Sequence, residues 1–201
     1  MPNRCGVTRK RFTIWPDASY EMEHVALEDW VPTGEPCRMG YLCRAFGAVE
    51  PRETVGAAAA LSDSVLKKFL PKRQQINQCE LFTAHTLIAN EAECLRDSDP
   101  VWYIDNMSAA MALIKVSSAK ADTIAIAVAL HAIFARLGVR VWVEYVESAS
   151  NPADGLSRAG LEDPWILAQG WAFKKVPCPS FFDMDTATVD SVQSIVTAAL
   201  P

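Results

Sequence analysis

Four carboxylates, Asp17, Glu80, Asp105 and Asp154, are the residues best placed to do chemistry in this chain. Asp105 directly follows the apolar run Val101-Trp102-Tyr103-Ile104, and in an open α/β sheet sites form beyond the carboxyl ends of strands. Glu80 falls centrally among Ile76, Ala84 and Leu87 when residues are spaced at roughly 100° around a helix, on the face expected to be buried. Asp17 closes a first strand in Pro16-Asp17-Ala18-Ser19, and Asp154 occupies the third helical position after Asn151. Burying a carboxylate is unfavourable unless it is paired or binds a metal. Four of them in an α/β pattern point to a divalent-cation site, and oxygen-only ligands suit Mg²⁺ or Mn²⁺ rather than zinc.

Each residue also has an ordinary explanation. Asp105, with Asn106 and Ser108, can cap the next helix. Glu80 can pair with an Arg or Lys across the core, and Asp17 can shape a turn through its own backbone. Asp154 can compensate the helix dipole and pair with Arg158 four residues on. One shared cation accounts for all four positions at once.

The elements that must position these residues follow from periodicity. Phe12–Trp15 reads as a strand. Residues 20–37 are polar and acidic with Pro32, Gly34 and Pro36, and read as a loop insertion. Met39–Phe46 and Thr54–Leu61 read as two further strands, although Ala57–Ala60 is poor strand material. Val65–Arg73 reads as a short basic helix or loop and Gln75–Glu93 as a helix. Val101–Ile104 is a buried strand, Asn106–Val116 and Ala121–Leu137 are helices, and Gly138 is a stop. Val139–Glu147 alternates like a strand, and Asn151-Pro152 starts a last core helix. The order β-β-β-α-β-α-α-β-α predicts an α/β domain over residues 1–160, with a mixed five-stranded sheet, three antiparallel strands then parallel ones, flanked by helices. Residues 161–201, rich in Pro and aromatic side chains, read as a C-terminal extension.

Composition narrows the class. The 201 residues are 50% hydrophobic and 21% charged, as in a globular domain with one well-filled core. A net charge of -5 argues against gripping nucleic acid by bulk charge. The longest apolar stretch, Thr123–Leu137, is interrupted by His131 and Arg136 and is too short to span a bilayer, so no membrane association is expected. The six cysteines form no C-x-x-C pair, and Arg4, Arg9, Lys10 and Arg11 meet Pro16 and Asp17 before any apolar run. A cytoplasmic or nuclear location, not a secreted one, is therefore expected. Lys67, Lys68, Lys72 and Arg73 form the densest basic cluster, which could contact phosphates but reads first as a solvated surface. Ser117-Ser118-Ala119-Lys120 matches the S-x-x-K pattern without its partner motifs. His24, His85 and His131 lack metal-ligand spacing, His85 and His131 read as helix-packing residues, and Trp102 and Trp142 read as sheet-face core rather than base-stacking platforms.

The chain resembles the ribonuclease H domain of retroelement reverse transcriptases over roughly residues 10–160. The matching pieces are Asp17-Ala18-Ser19, Glu80-Leu81-Phe82-Thr83-Ala84, Tyr103-Ile104-Asp105-Asn106, and Val146-Glu147-Ser148 leading through Asn151-Pro152-Ala153-Asp154 to Leu156-Ser157-Arg158. The resemblance implies a ribonuclease H-like fold and a nuclease that cuts the RNA strand of RNA–DNA hybrids, beside a polymerase domain. It implies two Mg²⁺ ions about 4 Å apart, with Mn²⁺ as a substitute, held by Asp17, Glu80, Asp105 and Asp154. Asp17 would bridge both ions, Asp154 would serve the attacking water, and Glu80 and Asp105 the leaving oxygen. Ser19, Asn106, Ser148 and Asn151 would contact substrate. The Asp17–Glu80 separation is long for this family, Ser148-Ala149-Ser150 lacks the His that many members carry there, and no strongly basic segment lies between Asn106 and Gly138. A non-catalytic module of the same fold, and an exonuclease or junction-resolving nuclease, are the alternative readings.

Overall fold

Alternation along the first strand organises the molecule. In the computed structural model, which describes residues 9–20, 37–66, 69 and 75–179, strand β1 (Lys10–Tyr20) turns Phe12, Ile14 and Ala18 into the main core. Thr13, Trp15, Asp17 and Ser19 fall on the opposite face by the two-residue period of a strand. β1 pairs antiparallel with β2 (Cys37–Ala45), and β2 pairs antiparallel with β3 (Thr54–Ala60). A four-residue helix α1 (Asp63–Leu66) precedes the long α2 (Ile76–Leu95). β4 (Ser98–Ile104) returns parallel to β1, α3 (Met107–Lys115) and α4 (Ala121–Leu137) follow, and β5 (Trp142–Tyr145) runs parallel to β4. Two short helices, α5 (Asp154–Arg158) and α6 (Pro164–Ala168), lead to β6 (Ala172–Lys175), which pairs parallel with β3. The sheet order is β5-β4-β1-β2-β3-β6.

Helix α2 is buried without a break from Gln78 to Ile88, because it lies between the sheet and α4. α4 ends where expected: Gly138 takes φ 67°, and its N–H reaches back to the carbonyls of Phe134 and Ala135. Ala57–Ala60 does form strand, since β3 is hydrogen-bonded on both sides, and pairing there outweighs weak propensity. On the other side of the sheet Leu42, Ala153, Leu156 and Ile166 make a second, smaller core, with Trp15, Trp171 and Phe173 packed against it.

The expectations need correcting in four places. Among the described residues the sheet has six strands, not five, because β6 extends its edge beside β3. β1 runs past Trp15 to Tyr20, so Asp17 sits inside a strand opposite Gly40 and not in a turn. The last core helix becomes regular only at Asp154; Asn151 and Pro152 form the turn before it. β5 is four residues long, and at this edge of the sheet Trp142 is 65% exposed, so it is not core. His131 is exposed, with its Nε2 hydrogen-bonded to the Leu113 carbonyl, linking α4 to α3. Trp102 is fully buried, edge-to-face on Phe134. His85 is buried in α2, where burial lowers its pKa to about 4 and keeps it neutral. Lys67, Lys68, Lys72, Arg73, His24 and most of the 20–37 insertion lie outside the described residues. Among the described residues no helix is long and apolar enough to cross a membrane.

Candidate metal centre

Asp17 from β1, Glu80 from α2 and Asp105 just past β4 converge at one end of the sheet, each offering a carboxylate oxygen within 4.8 Å of the others. The sequence explains the convergence. β1 and β4 are adjacent and parallel, with Ile14 opposite Trp102, so Asp17 and Asp105 stand three residues further along neighbouring strands. α2 crosses β1 closely enough for the Thr83 hydroxyl to donate to the Asp17 carbonyl, and Glu80 lies one turn before Thr83.

Burial sets the electrostatics. Asp17 is 3% and Glu80 5% exposed. Burial, opposed by the Ser157 hydroxyl and added to by the charges of Asp105 and Asp154, raises the Asp17 pKa to about 7. Glu80 is pushed well above the ordinary carboxylate range, first by burial, then by Asp17 and Asp105. A backbone hydrogen bond from Ala18 works the other way, yet Oε2 of Glu80 is buried without any hydrogen-bond partner. An oxygen-only set with a buried orphan acceptor and mutual repulsion fits a hard divalent cation. Asp17, Glu80 and Asp105 would hold it.

Asp154 stands apart from that group of three. Its Oδ2 accepts a 2.7 Å bond from Nε of Arg158, the ordinary pairing read from the sequence, while its charge still acts on Asp17. Asp105 is not a helix cap: Asn106 takes that role, its Oδ1 accepting from the Ala109 N–H at 3.1 Å. Asn151 is buried; its Nδ2 donates to the Pro16 carbonyl at 3.2 Å and to Asp17 at 3.3 Å, and its Oδ1 accepts from the Ala153 N–H. Ser19 donates to the Ser157 carbonyl at 2.6 Å. Ser19 and Asn151 therefore hold the site together, whereas Ser148 is exposed.

Two residues escape the sequence reading. Ser157 is fully buried in α5, and its hydroxyl donates to Oδ2 of Asp17. Gly40, paired with Asp17, makes room for α5: a Cβ there would stand 2.5 Å from the Leu156 Cβ and 2.7 Å from the Ser157 nitrogen. The available signal was a glycine inside a strand, which marks a close backbone approach. Gly40→Val should lower stability by about 1–3 kcal/mol through overpacking and weaken cation binding by displacing Ser157. Thermal unfolding and calorimetric Mn²⁺ titration would read both, and unchanged values in the two would sink this account of α5.

No family model matches the chain, and no curated protein does. Among solved structures it is similar to ribonuclease H1 from the halophilic archaeon Halobacterium salinarum NRC-1, with TM-score 0.51 and 16% identity over 76% of this chain and 98% of that one. The fold is ribonuclease H-like. A second similar structure is the N-terminal RNase H domain of a Mycobacterium tuberculosis protein, solved as a fusion with maltose-binding protein, at TM-score 0.43 and 14% identity over 80% of this chain and 96% of that one. The ribonuclease H-like fold includes the antiparallel β1–β2–β3 unit, the parallel β4 and β5, and the flanking helices.

Proposed function

We propose that this protein is a metal-dependent endonuclease that hydrolyses the RNA strand of RNA–DNA hybrids. The observation that carries the reading is the convergence of Asp17, Glu80 and Asp105 with an orphaned, buried Glu80 oxygen. Asp17, Glu80 and Asp105 would bind Mg²⁺ or Mn²⁺, with Asp154 as the fourth carboxylate of a two-ion site. The bound ions would supply a nucleophilic water at neutral pH and offset charge developing on the scissile phosphate. Ser157 and Asn151 fix the Asp17 carboxylate from two directions, so its orientation is set before substrate arrives. Ser148 and the amide nitrogen of Asn106 are the polar groups offered to substrate; the Asn106 oxygen is occupied in capping α3.

The setting as a domain of a retroelement reverse transcriptase, beside a polymerase domain, is supported by the resemblance of the Asn151–Arg158 segment, and a cytoplasmic or nuclear location by the unpaired spacing of the cysteines. The likeness of fold to an archaeal ribonuclease H1 agrees with the activity. The test is a cleavage assay on RNA–DNA hybrid labelled in either strand, with Mg²⁺, with Mn²⁺ and with chelator. Internal cuts confined to the RNA strand, and lost with chelator, are expected. Release of nucleotides only from an end would replace the endonuclease with an exonuclease, and cutting of branched DNA instead would replace it with a resolvase. No cleavage of any substrate with either ion would leave a non-catalytic module supporting a polymerase domain.

A further inference from the structure

The sheet face that carries Asp17 and Asp105 continues away from them as an aromatic and basic surface. α5 packs over β1, β2 and β3 on this side, whereas α2, α3 and α4 lie with the opposite core. Over β4 and β5 this side has no helix among the described residues. Val101 and Tyr103 of β4 and Trp142 and Glu144 of β5 share it, since Trp102 and Val143 between them pack into the main core. Trp15 and Tyr103 stack at 5.6 Å between ring centroids with 16° between planes. Trp142 is diagonal to Tyr103 on the next strand and 65% exposed, with its Nε1 donating to Glu144 at 2.6 Å. On the other flank Trp15 forms one wall of an open groove of about 520 Å³, which Trp165, 53% exposed, also lines with Ser148, Asn151 and the carboxylates Asp154 and Asp163, so the bases and not the phosphates would enter there.

These rings make a row, Trp165, Trp15, Tyr103 and Trp142, running across the strands. One side of the row holds the carboxylate cluster. The other holds Arg9, Arg11, Arg44 and Arg140, against which Asp99 and Glu144 are the acids of the same face. Asp99 is committed to Arg9 and Arg140. No carboxylate pairs with Arg11 or Arg44 among the described residues, so the surface is locally positive on a chain of net charge -5.

We infer that this face binds single-stranded nucleic acid, its bases on the aromatic row and its phosphates toward Arg11 and Arg44. Stacking suits any base, and arginines beside the row neutralise the backbone, the combination by which unpaired strands are held without sequence preference. A duplex hides its base faces and cannot use the row. The site is separate from the carboxylates, and its use to hold an unpaired tail of a hybrid rests on the cleavage reading above.

The test is fluorescence anisotropy of short labelled single-stranded RNA and DNA with the full chain in chelator, beside a blunt hybrid of equal length. Single strands should bind, and Trp142→Ala and Trp165→Ala should each weaken them by about tenfold. Arg11→Gln should lessen the salt dependence by about one unit of slope. Ile114→Ala, exposed on α3 across the sheet, should change nothing. Asp105→Asn should bind as wild type does, so loss of cleavage with binding intact would bear on the nuclease reading alone. Absence of single-strand binding at low salt, or tryptophan variants that bind like wild type, overturns the inference. Self-association removed by Trp142→Ala without any oligonucleotide binding also overturns it, and assigns the face to a second copy.

Discussion

Asp105→Asn is expected to reduce Mg²⁺-dependent cleavage of hybrid RNA on the order of a thousandfold while leaving the fold intact. The activity side follows from the three-carboxylate group, in which Asp105 is the most accessible member: half-buried, just past the end of β4, with no helix to cap. Losing one anionic ligand of a catalytic cation forfeits several kcal/mol of transition-state stabilisation, at about 1.4 kcal/mol per tenfold. The stability side follows from Asn106, whose side chain caps α3 whatever stands at position 105. Removing one of three crowded negative charges also relieves Asp17 and Glu80. Circular dichroism and thermal unfolding should match wild type, while strand-specific cleavage disappears. A variant that cuts at the wild-type rate, or a wild type as inactive as the variant, would end the nuclease reading.

The parts of this site legible in the sequence are those set by local periodicity. Glu80 on an apolar helix face and Asp105 after an apolar strand are unusual within a few residues of themselves, and both sit where the pattern puts them. Asp17 was legible as a residue and not as geometry, because Pro16 suggested a turn; pairing with Gly40 instead carries the strand through it. Ser157, Gly40 and the inward hydrogen bonds of Asn151 depend on α5 lying across β1 and β2, a contact between segments more than a hundred residues apart. No local pattern encodes it. Trp142 failed for the converse reason. Its strand alternation is real, but which face is covered depends on where the helices pack, and here they cover the Val143 side. β6 was missed because Ala172–Lys175 is four residues long and gains its strand character from the free edge of β3.

Glu80→Gln should abolish cleavage and yet make the cation-free protein more stable at pH 8. Glu80 carries a buried oxygen without a partner, and as a carboxylate it faces Asp17 and Asp105; a neutral amide of the same shape removes the repulsion. The same physics gives the wild type an unusual pH profile. Asp17 ionises near 3.8 when unfolded and near 7 when folded, so between these values the folded state holds the extra proton. The Asp17 contribution to stability is then fully present below about pH 4, falls as pH rises toward 7 and levels off above, a loss on the order of 4 kcal/mol. Glu80 shifts in the same direction and steepens the fall. Mg²⁺ or Mn²⁺ should reverse that loss at pH 8 by binding only the folded, ionised cluster, and should do little at pH 5, where protons compete for the oxygens. Thermal melts at both pH values, with ion and with chelator, should show a cation-dependent rise in Tm for wild type at pH 8. Glu80→Gln should show a higher cation-free Tm there, a shallower pH dependence and a much smaller response to either ion. A wild type indifferent to both ions at pH 8 would mean that the buried carboxylates are held by protons alone, and the metal centre would fall with it.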